Sequence, residues 1–160
     1  LESTRERSAL QQKRDAVGDA LVEKHNFEVS KRQVLAMAER LAEQTHHMMH
    51  QMGMHHEETE EHAKALLDSS MKKAERDVRL TYILEAIARD QKFEVSPDDF
   101  KKRFEDTAKR TGYSVSQIQA YYAAKDEEST LSRMDRLKID ILDEKSLDYA
   151  LSRATIKLKD

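Results

Sequence analysis

Apolar residues recur along most of this chain at spacings of three and four, the pattern of an amphipathic helix. Only the tail at 155–159 alternates, and there we expect a short extended segment. The periodicity predicts six helices: about Ser3 to His25, Ser30 to near Gly53, about Glu57 to Lys92, Pro97 to about Arg110, a short helix after Ser114 that ends at 121–124, and about Asp126 to Asp143 with a turn or two beyond. The predicted fold class is all-α. In the first helix, the predicted apolar stripe consists of Leu10, Val17 and Leu21, with Ala9, Ala16 and Ala20 beside it.

The third predicted helix changes character along its length. It begins with a narrow apolar stripe, but its segment 80–88 is apolar on nearly all sides. Such a helix is expected to pass from an exposed arm into a buried body. We therefore predict an elongated multi-helix body with two protruding arms. Arm 1 covers about 30–70, arm 2 about 96–125, and the body about 1–29, 71–95 and 126–160.

The tetrapeptide Phe-Glu-Val-Ser occurs at 27–30 and again at 93–96, and each copy precedes a predicted helix. Ser30 with Gln33, and Ser114 with Gln117, have the spacing of a capping box, and Ser96 is followed by a proline at the first helical position. Apolar pairs with the spacing of a hydrophobic staple flank these caps: Val29 and Val34, Val95 and Phe100, Tyr113 and Ile118. The chain is expected to reverse direction at these points.

Composition limits the classes of function. The chain has 160 residues, which is one domain by size, with 38% apolar and 37% charged residues, so we expect long exposed helices and a thin core. A net charge of −3 favours neither a nucleic acid nor a membrane as partner, and no apolar run approaches the roughly 18 residues of a membrane span. The absence of cysteine excludes disulfides and thiolate sites. Because the chain begins with leucine, we expect a piece of a longer protein or a processed product.

Nothing in the sequence predicts catalysis. Adjacent carboxylates at Asp98-Asp99, 57–58 and 60–61 lie near helix starts, where the helix dipole favours negative charge. No glycine-rich phosphate loop and no serine–histidine–aspartate arrangement is present. We predict no catalytic residue, no cofactor and no enzyme activity.

The segment 46–56 is unusually rich in methionine and histidine. His46 and His50 share one helix face, and thioethers suit Cu(I), so a helical metal-handling protein is one alternative. No further ligand is placed by the sequence, and we predict no metal site. Methionine is also flexible and polarisable, and it is over-used at surfaces that bind many apolar partners.

Two features carry a resemblance to a known family. One is the Phe-Glu-Val corner at 27–29 with the long helices around it. The other is Ile83-Leu-Glu-Ala-Ile-Ala followed by Phe93-Glu-Val-Ser-Pro-Asp-Asp, with the ending at 142–156, Leu-Asp-Glu-Lys-Ser-Leu-Asp-Tyr-Ala-Leu-Ser-Arg-Ala-Thr-Ile. Together they resemble the C-terminal domain of trigger factor, the bacterial ribosome-associated chaperone. The resemblance covers nearly the whole chain.

The resemblance implies an all-α body whose arms cradle unfolded polypeptide, a fold similar to the SurA peptide-binding domain. It implies an ATP-independent cytoplasmic chaperone domain whose partners are unfolded or nascent polypeptides, hereafter clients. The family's ribosome-binding and prolyl isomerase domains are absent from these residues, so ribosome contact is expected only through a missing N-terminal domain. A weak homodimer and a structural adaptor for one defined partner stay open.

The predicted client contacts are apolar residues on the arms. On the second arm, the two phenylalanines also suit packing, and one of the two adjacent tyrosines is expected to be buried while the other is exposed. The predicted residues are Met37, Leu41, Met48, Met49, Met52, Met54, Phe100, Phe104, Tyr121 and Tyr122.

Overall fold

The computed structural model describes residues 2–53, 59–124 and 131–154, with side chains from residue 5 onward. These ranges contain helices and no strand, which confirms the predicted all-α class. The helices are α1 (Glu2–Lys24), α2 (Lys31–Gln51), α3 (Glu60–Asp90), α4 (Pro97–Thr111), α5 (Val115–Ala123) and α6 (Arg133–Arg153). The predicted extended segment at 155–159 and Met54 lie outside the described residues.

The chain forms two compact units. Unit 1 contains Leu1–Val17 and Leu84–Asp160, and unit 2 contains Gly18–Ile83. The chain passes from one unit to the other within α1 and again within α3. The predicted division into a body and two arms concerns the overall shape and stays a prediction.

Unit 2 is built on an antiparallel pair of helices, α2 and α3. Val34 and Ala38 of α2 are buried against Ala74 and Val78 of α3, and Val29 packs on this cluster. Both alanines are fully buried. The packing of Val29 on the cluster that contains Val34 agrees with the staple predicted there.

The part of α1 in unit 2 packs through a glycine. Gly18 is buried, and a Cβ atom at this position would lie 3.1 Å from Cδ2 of Leu80 on α3. Beside it, Nε of Arg76 donates a 2.6 Å hydrogen bond to Asp19. The apolar stripe predicted for α1 is wrong in part: Val17 and Leu21 are half-buried, whereas Leu10 and the three alanines beside the stripe are exposed.

Unit 1 is organised around α4, α5 and α6. Phe104, Ile118, Leu137 and Ile141 form its buried cluster, with Val95, Phe100 and Tyr122 packed against it. The predicted cap at Ser96 forms a capping box with Asp99, and Ser114 forms one with Gln117. α4 ends at Gly112, whose φ of 79° places it in the left-handed region where glycine is favoured.

Two predictions about local structure in the first half are wrong. The side chain of Ser30 makes no capping hydrogen bond. The Gln33 side chain, which would complete the predicted capping box, instead accepts a 2.5 Å hydrogen bond from the hydroxyl of Tyr82 on α3. The segment 80–88 is not buried on all sides. Ile83 and Leu84 are buried, but Tyr82 and Ala86 are exposed.

Two further predictions in the second half are also wrong. Tyr113 is largely exposed and is not among the residues that pack on the Ile118 cluster, so it does not act as a staple. The last helix begins at Arg133 rather than near Asp126, because Ser132 and Asp135 form a capping box that fixes its start.

Candidate functional site

The end of the α2–α3 hairpin exposes methionine side chains. Met48 is 56% exposed and Met52 is 68% exposed, whereas Met49 is half-buried. Gly53, with a φ of 75°, follows the last turn of α2. We call Met48, Met49 and Met52 the hairpin-end surface. The exposure of Met48 and Met52 agrees with the exposed apolar surface that the sequence predicted at this position, and their role in client binding stays a prediction.

Met37 and Leu41 lie about three and two turns before the hairpin-end surface. Both are half-buried and pack against the α2–α3 core. The guanidinium group of Arg40 lies 3.0 Å from Sδ of Met37. These two predicted contact residues therefore contribute to the stability of unit 2 and expose only part of their side chains.

Histidines from both helices meet near the same end. The ring of His46 lies 4.7 Å from that of His50 and 6.5 Å from that of His62 on α3, measured between centroids. Beside them is a groove of about 480 Å³ that Glu43 and Glu60 help to line. Within residues 2–53, 59–124 and 131–154, no group of three or more histidines and carboxylates is arranged to hold a metal ion. The histidines at 55 and 56 lie outside these ranges.

A second apolar surface in unit 2 was not predicted. Phe27, Leu35 and Met71 are 39%, 43% and 36% exposed, and all three line one groove of about 820 Å³, which we call the corner groove. Nε of Arg79 donates a 3.0 Å hydrogen bond to the carbonyl oxygen of Phe27 and thereby holds the corner in place. Phe27 also contacts Tyr82 edge-on, with 6.4 Å between ring centroids.

One signal in the sequence could have revealed the corner groove. Leu35 follows Val34 directly, so two large apolar residues are adjacent on an amphipathic helix, where neighbours point in directions about 100° apart. Since Val34 is buried in the α2–α3 core, Leu35 must lie beside the core. Sequence reasoning treated Phe27 only as part of a turn.

The predicted contact residues of α4 and α5 differ in exposure. Phe104 is only 6% exposed and lies in the core of unit 1, and Phe100 is half-buried against it. Tyr122 packs on the same cluster, whereas Tyr121 is exposed, as expected for two adjacent tyrosines on a helix. The guanidinium group of Arg133 lies 4.3 Å from the ring centroid of Tyr121.

Unit 1 also has a groove of about 730 Å³, which we call the charged groove, with lining residues on α1, α4 and α6. Arg14 donates two 2.8 Å hydrogen bonds to the carboxylate of Asp148. This bonding raises the pKa of Arg14 even though partial burial opposes the rise. Glu144 accepts from Arg103 at 2.6 Å and lies 3.7 Å from Arg14.

Asp99 connects the charged groove to the start of α4. Its carboxylate accepts a 2.7 Å hydrogen bond from Nζ of Lys145, and it also accepts from the backbone and hydroxyl of Ser96. The Lys145 bond, followed by the bonds from Ser96, lowers the pKa of Asp99 to about 2. Lys145 donates a second bond to the carbonyl oxygen of Glu94, so it joins α6 to the corner before α4.

The pKa of Asp143 on α6 is raised, whereas that of Asp99 is lowered. Burial, and then the charges of Asp140 and Glu85, raise the pKa of Asp143 to about 6. The folded chain therefore holds this carboxylate at an energetic cost near neutral pH.

Comparison with known proteins assigns the chain to a family. The family model described as the C-terminus of bacterial trigger factor protein matches residues 1–152. The chain belongs to the trigger factor C-terminal family. The resemblance seen in the sequence is thereby confirmed.

Trigger factors from three bacteria are similar to the chain. The protein of Koribacter versatilis is 28% identical over 88% of this chain and 31% of its own length. The protein of Syntrophotalea carbinolica is 24% identical over 92% of this chain and 32% of its own length. The protein of Halalkalibacterium halodurans is 25% identical over 96% of this chain and 35% of its own length. The chain thus spans about a third of the length of these trigger factors. No solved structure matches it significantly.

Membership of the trigger factor C-terminal family agrees with the helices seen here. In the parts of the chain that the structure describes, no helix is both long enough and apolar enough to cross a membrane. Large apolar side chains in contact with water mark sites of interaction when they are grouped. The exposed apolar side chains of unit 2 are therefore the candidate functional site.

Proposed function

We propose that this chain is the client-binding domain of a trigger factor and that it holds unfolded or nascent polypeptides without ATP. The observation that carries the proposal is the grouping of exposed apolar side chains on unit 2. Met48 and Met52 form one group at the hairpin end, and Phe27, Leu35 and Met71 form the other in the corner groove. Family membership supports the same conclusion.

The energetics of these surfaces suit weak and reversible binding. Burying a large apolar side chain completely contributes about 1.5–3 kcal/mol, so covering the exposed half of one contributes roughly 1 kcal/mol. The free energy from a single surface is then largely offset by the entropy lost when a client is ordered. A client that contacts several surfaces at once is held more tightly than by any one of them. When one contact opens, the remaining contacts keep the client bound.

The residues divide between contact and support. The hairpin-end surface and the corner groove are the proposed client contacts, with Tyr121 as a further candidate in unit 1. Met37 and Leu41 contribute their exposed parts. Phe104 is a core residue, and Phe100 supports it. The proposal places this domain in the cytoplasm and assigns ribosome docking and prolyl isomerase activity to other parts of the parent protein.

The test is suppression of aggregation. The isolated chain should delay aggregation of several unrelated, chemically denatured proteins after dilution, followed by light scattering in the absence of nucleotide. It should show no prolyl isomerase activity on a peptide substrate. If it protects none of these proteins, the proposal is wrong. If it protects one and binds that one tightly, it is an adaptor for a defined partner.

Paired variants locate the contacts. Leu35→Ser with Met71→Ser alters the corner groove, and Gln44→Ser with Lys72→Ser is a matched control. Each pair has one exposed residue on α2 and one on α3, and the control residues are polar. The groove variant should lose at least half of the protection, whereas the control should retain it. Equal protection by both variants would remove the corner groove from the client surface.

A second pair tests the hairpin end against the metal alternative. Met48→Ser with Met52→Ser should weaken protection, because two exposed apolar contacts are lost. His46→Gln with His50→Gln should leave it unchanged with and without a chelator. Loss of protection in the histidine variant, or in the unaltered chain with chelator, would favour a metal-dependent function.

A further inference from the structure

In the charged groove of unit 1, most carboxylates form ion pairs but several cations do not. Its carboxylates are largely neutralised by neighbouring cations. Asp148 and Glu144 bind Arg14, Glu144 also binds Arg103, and Asp99 binds Lys145. Asp106 lies 4.0 Å from Lys109, and Asp140 has an interaction of its own.

Three other cations line the same groove without such partners. Arg7 of α1 and Lys102 and Arg110 of α4 are exposed, and none of the three belongs to an ion pair within the described residues. The groove therefore presents unneutralised positive charge from two helices. Its wall also includes Leu10, an exposed apolar side chain, and the half-buried ring of Tyr122.

We propose that the charged groove binds acidic segments of unfolded polypeptides. Glutamate and aspartate side chains of such a segment would pair with Arg7, Lys102 and Arg110, and an adjacent apolar side chain would lie against Leu10 and Tyr122. This site goes beyond the apolar contacts of unit 2, since it selects clients by charge and lies wholly within unit 1.

The net charge of −3 does not oppose this assignment. At physiological ionic strength, charges are screened beyond about 8 Å, so a segment in the groove responds mainly to the charged groups that line the groove and little to the rest of the chain. The lining has six cations and five carboxylates, and Arg7, Lys102 and Arg110 are the cations that no ion pair of the described residues occupies. Arginine also favours carboxylate recognition, because its planar guanidinium can donate two parallel hydrogen bonds to one carboxylate.

Binding can be measured with the complete 160-residue chain and three unstructured peptides. Each peptide contains one tryptophan, and its charged positions are all glutamate, all lysine or all glutamine. The chain has no tryptophan, so the fluorescence anisotropy of the peptide reports binding alone. The glutamate peptide should bind most tightly, and its affinity should fall as salt is raised from 50 to 500 mM.

Matched triple variants test the residues. The charged-groove variant combines Arg7→Gln, Lys102→Gln and Arg110→Gln. Its affinity for the glutamate peptide should be roughly tenfold lower, because each exposed ion pair that is lost lowers the affinity about twofold. The control combines Lys13→Gln, Lys101→Gln and Lys138→Gln, which removes the same charge from exposed positions on α1, α4 and α6 outside the groove. The control should bind the glutamate peptide nearly as well as the unaltered chain.

Three results would overturn the proposal: equal weakening by the two triple variants, tighter binding of the lysine peptide, or affinity that is independent of salt. Tighter binding of a single-stranded oligonucleotide than of the glutamate peptide would mean that the groove recognises phosphates instead. The outcome is separable from that of the proposed function, because the corner-groove variant Leu35→Ser with Met71→Ser leaves all residues of the charged groove unchanged.

Discussion

Replacing Phe104 by alanine is the sharpest test of how unit 1 is built. The side chain is 6% exposed, and its ring lies 5.7 Å from that of Tyr122 and 6.4 Å from that of Phe100, measured between centroids. It also contacts the buried side chains of α5 and α6. Truncation removes nearly all of this packing and leaves a cavity.

We expect Phe104→Ala to lower the free energy of unfolding by about 3–5 kcal/mol, the range for a fully buried aromatic residue. That is a large fraction of the roughly 5–15 kcal/mol that stabilises a typical domain. Phe100→Ala is the matched control on the same face of α4, and because Phe100 is half-buried it should cost about half as much.

The measurement is urea denaturation followed by circular dichroism at 222 nm and by tyrosine fluorescence, with hydrogen exchange to separate unit 1 from unit 2. A loss below about 1 kcal/mol for Phe104→Ala would contradict the assignment of Phe104 to the core. A variant that stays folded but protects clients poorly would make Phe104 a client contact after all.

Three further outcomes are expected. Because the folded pKa of Asp143 is raised to about 6 from its ordinary 3.8, the stability present at low pH is lost as pH rises through 6. Asp143→Asn should therefore stabilise the chain at pH 7 by about 1 kcal/mol, after allowing for solvent screening, and flatten the pH dependence of its denaturation midpoint; no gain at pH 7 would contradict this. Ser114→Ala should cost about 0.5–2 kcal/mol by thermal denaturation, whereas Ser30→Ala should cost little because its side chain makes no capping bond; equal costs would refute the difference. Gly18→Leu should destabilise unit 2 by about 1–3 kcal/mol in hydrogen exchange, since even a Cβ would lie 3.1 Å from Leu80; unchanged exchange would show that the helices can separate there.

The sequence by itself determined the features that depend on residues within about four positions. Helical periodicity predicted the all-α class and most helix boundaries. The cap at Ser96, the capping box at Ser114 and the end of α4 at Gly112 were predictable because donor, acceptor and backbone conformation all lie within one turn. The exposed methionines of the hairpin end followed from composition and position.

Tertiary structure decided what depends on distant partners. Ser30 has the same local signals as Ser114. However, the Gln33 side chain that a capping box at Ser30 would require is hydrogen-bonded to Tyr82, which is 49 residues away. Residues of one helix face also differ in burial. Phe104 is buried and Phe100 only half-buried, because the residues that cover them come from α5 and α6.

Both grooves are likewise products of the tertiary structure. The corner groove combines Phe27, Leu35 and Met71, which belong to three segments of the chain. In the charged groove, Arg14 pairs with Asp148, 134 residues away, and this leaves other cations of the groove unneutralised. Periodicity shows which residues share a helix face, but which face is covered, and by what charge, is fixed only when distant helices pack.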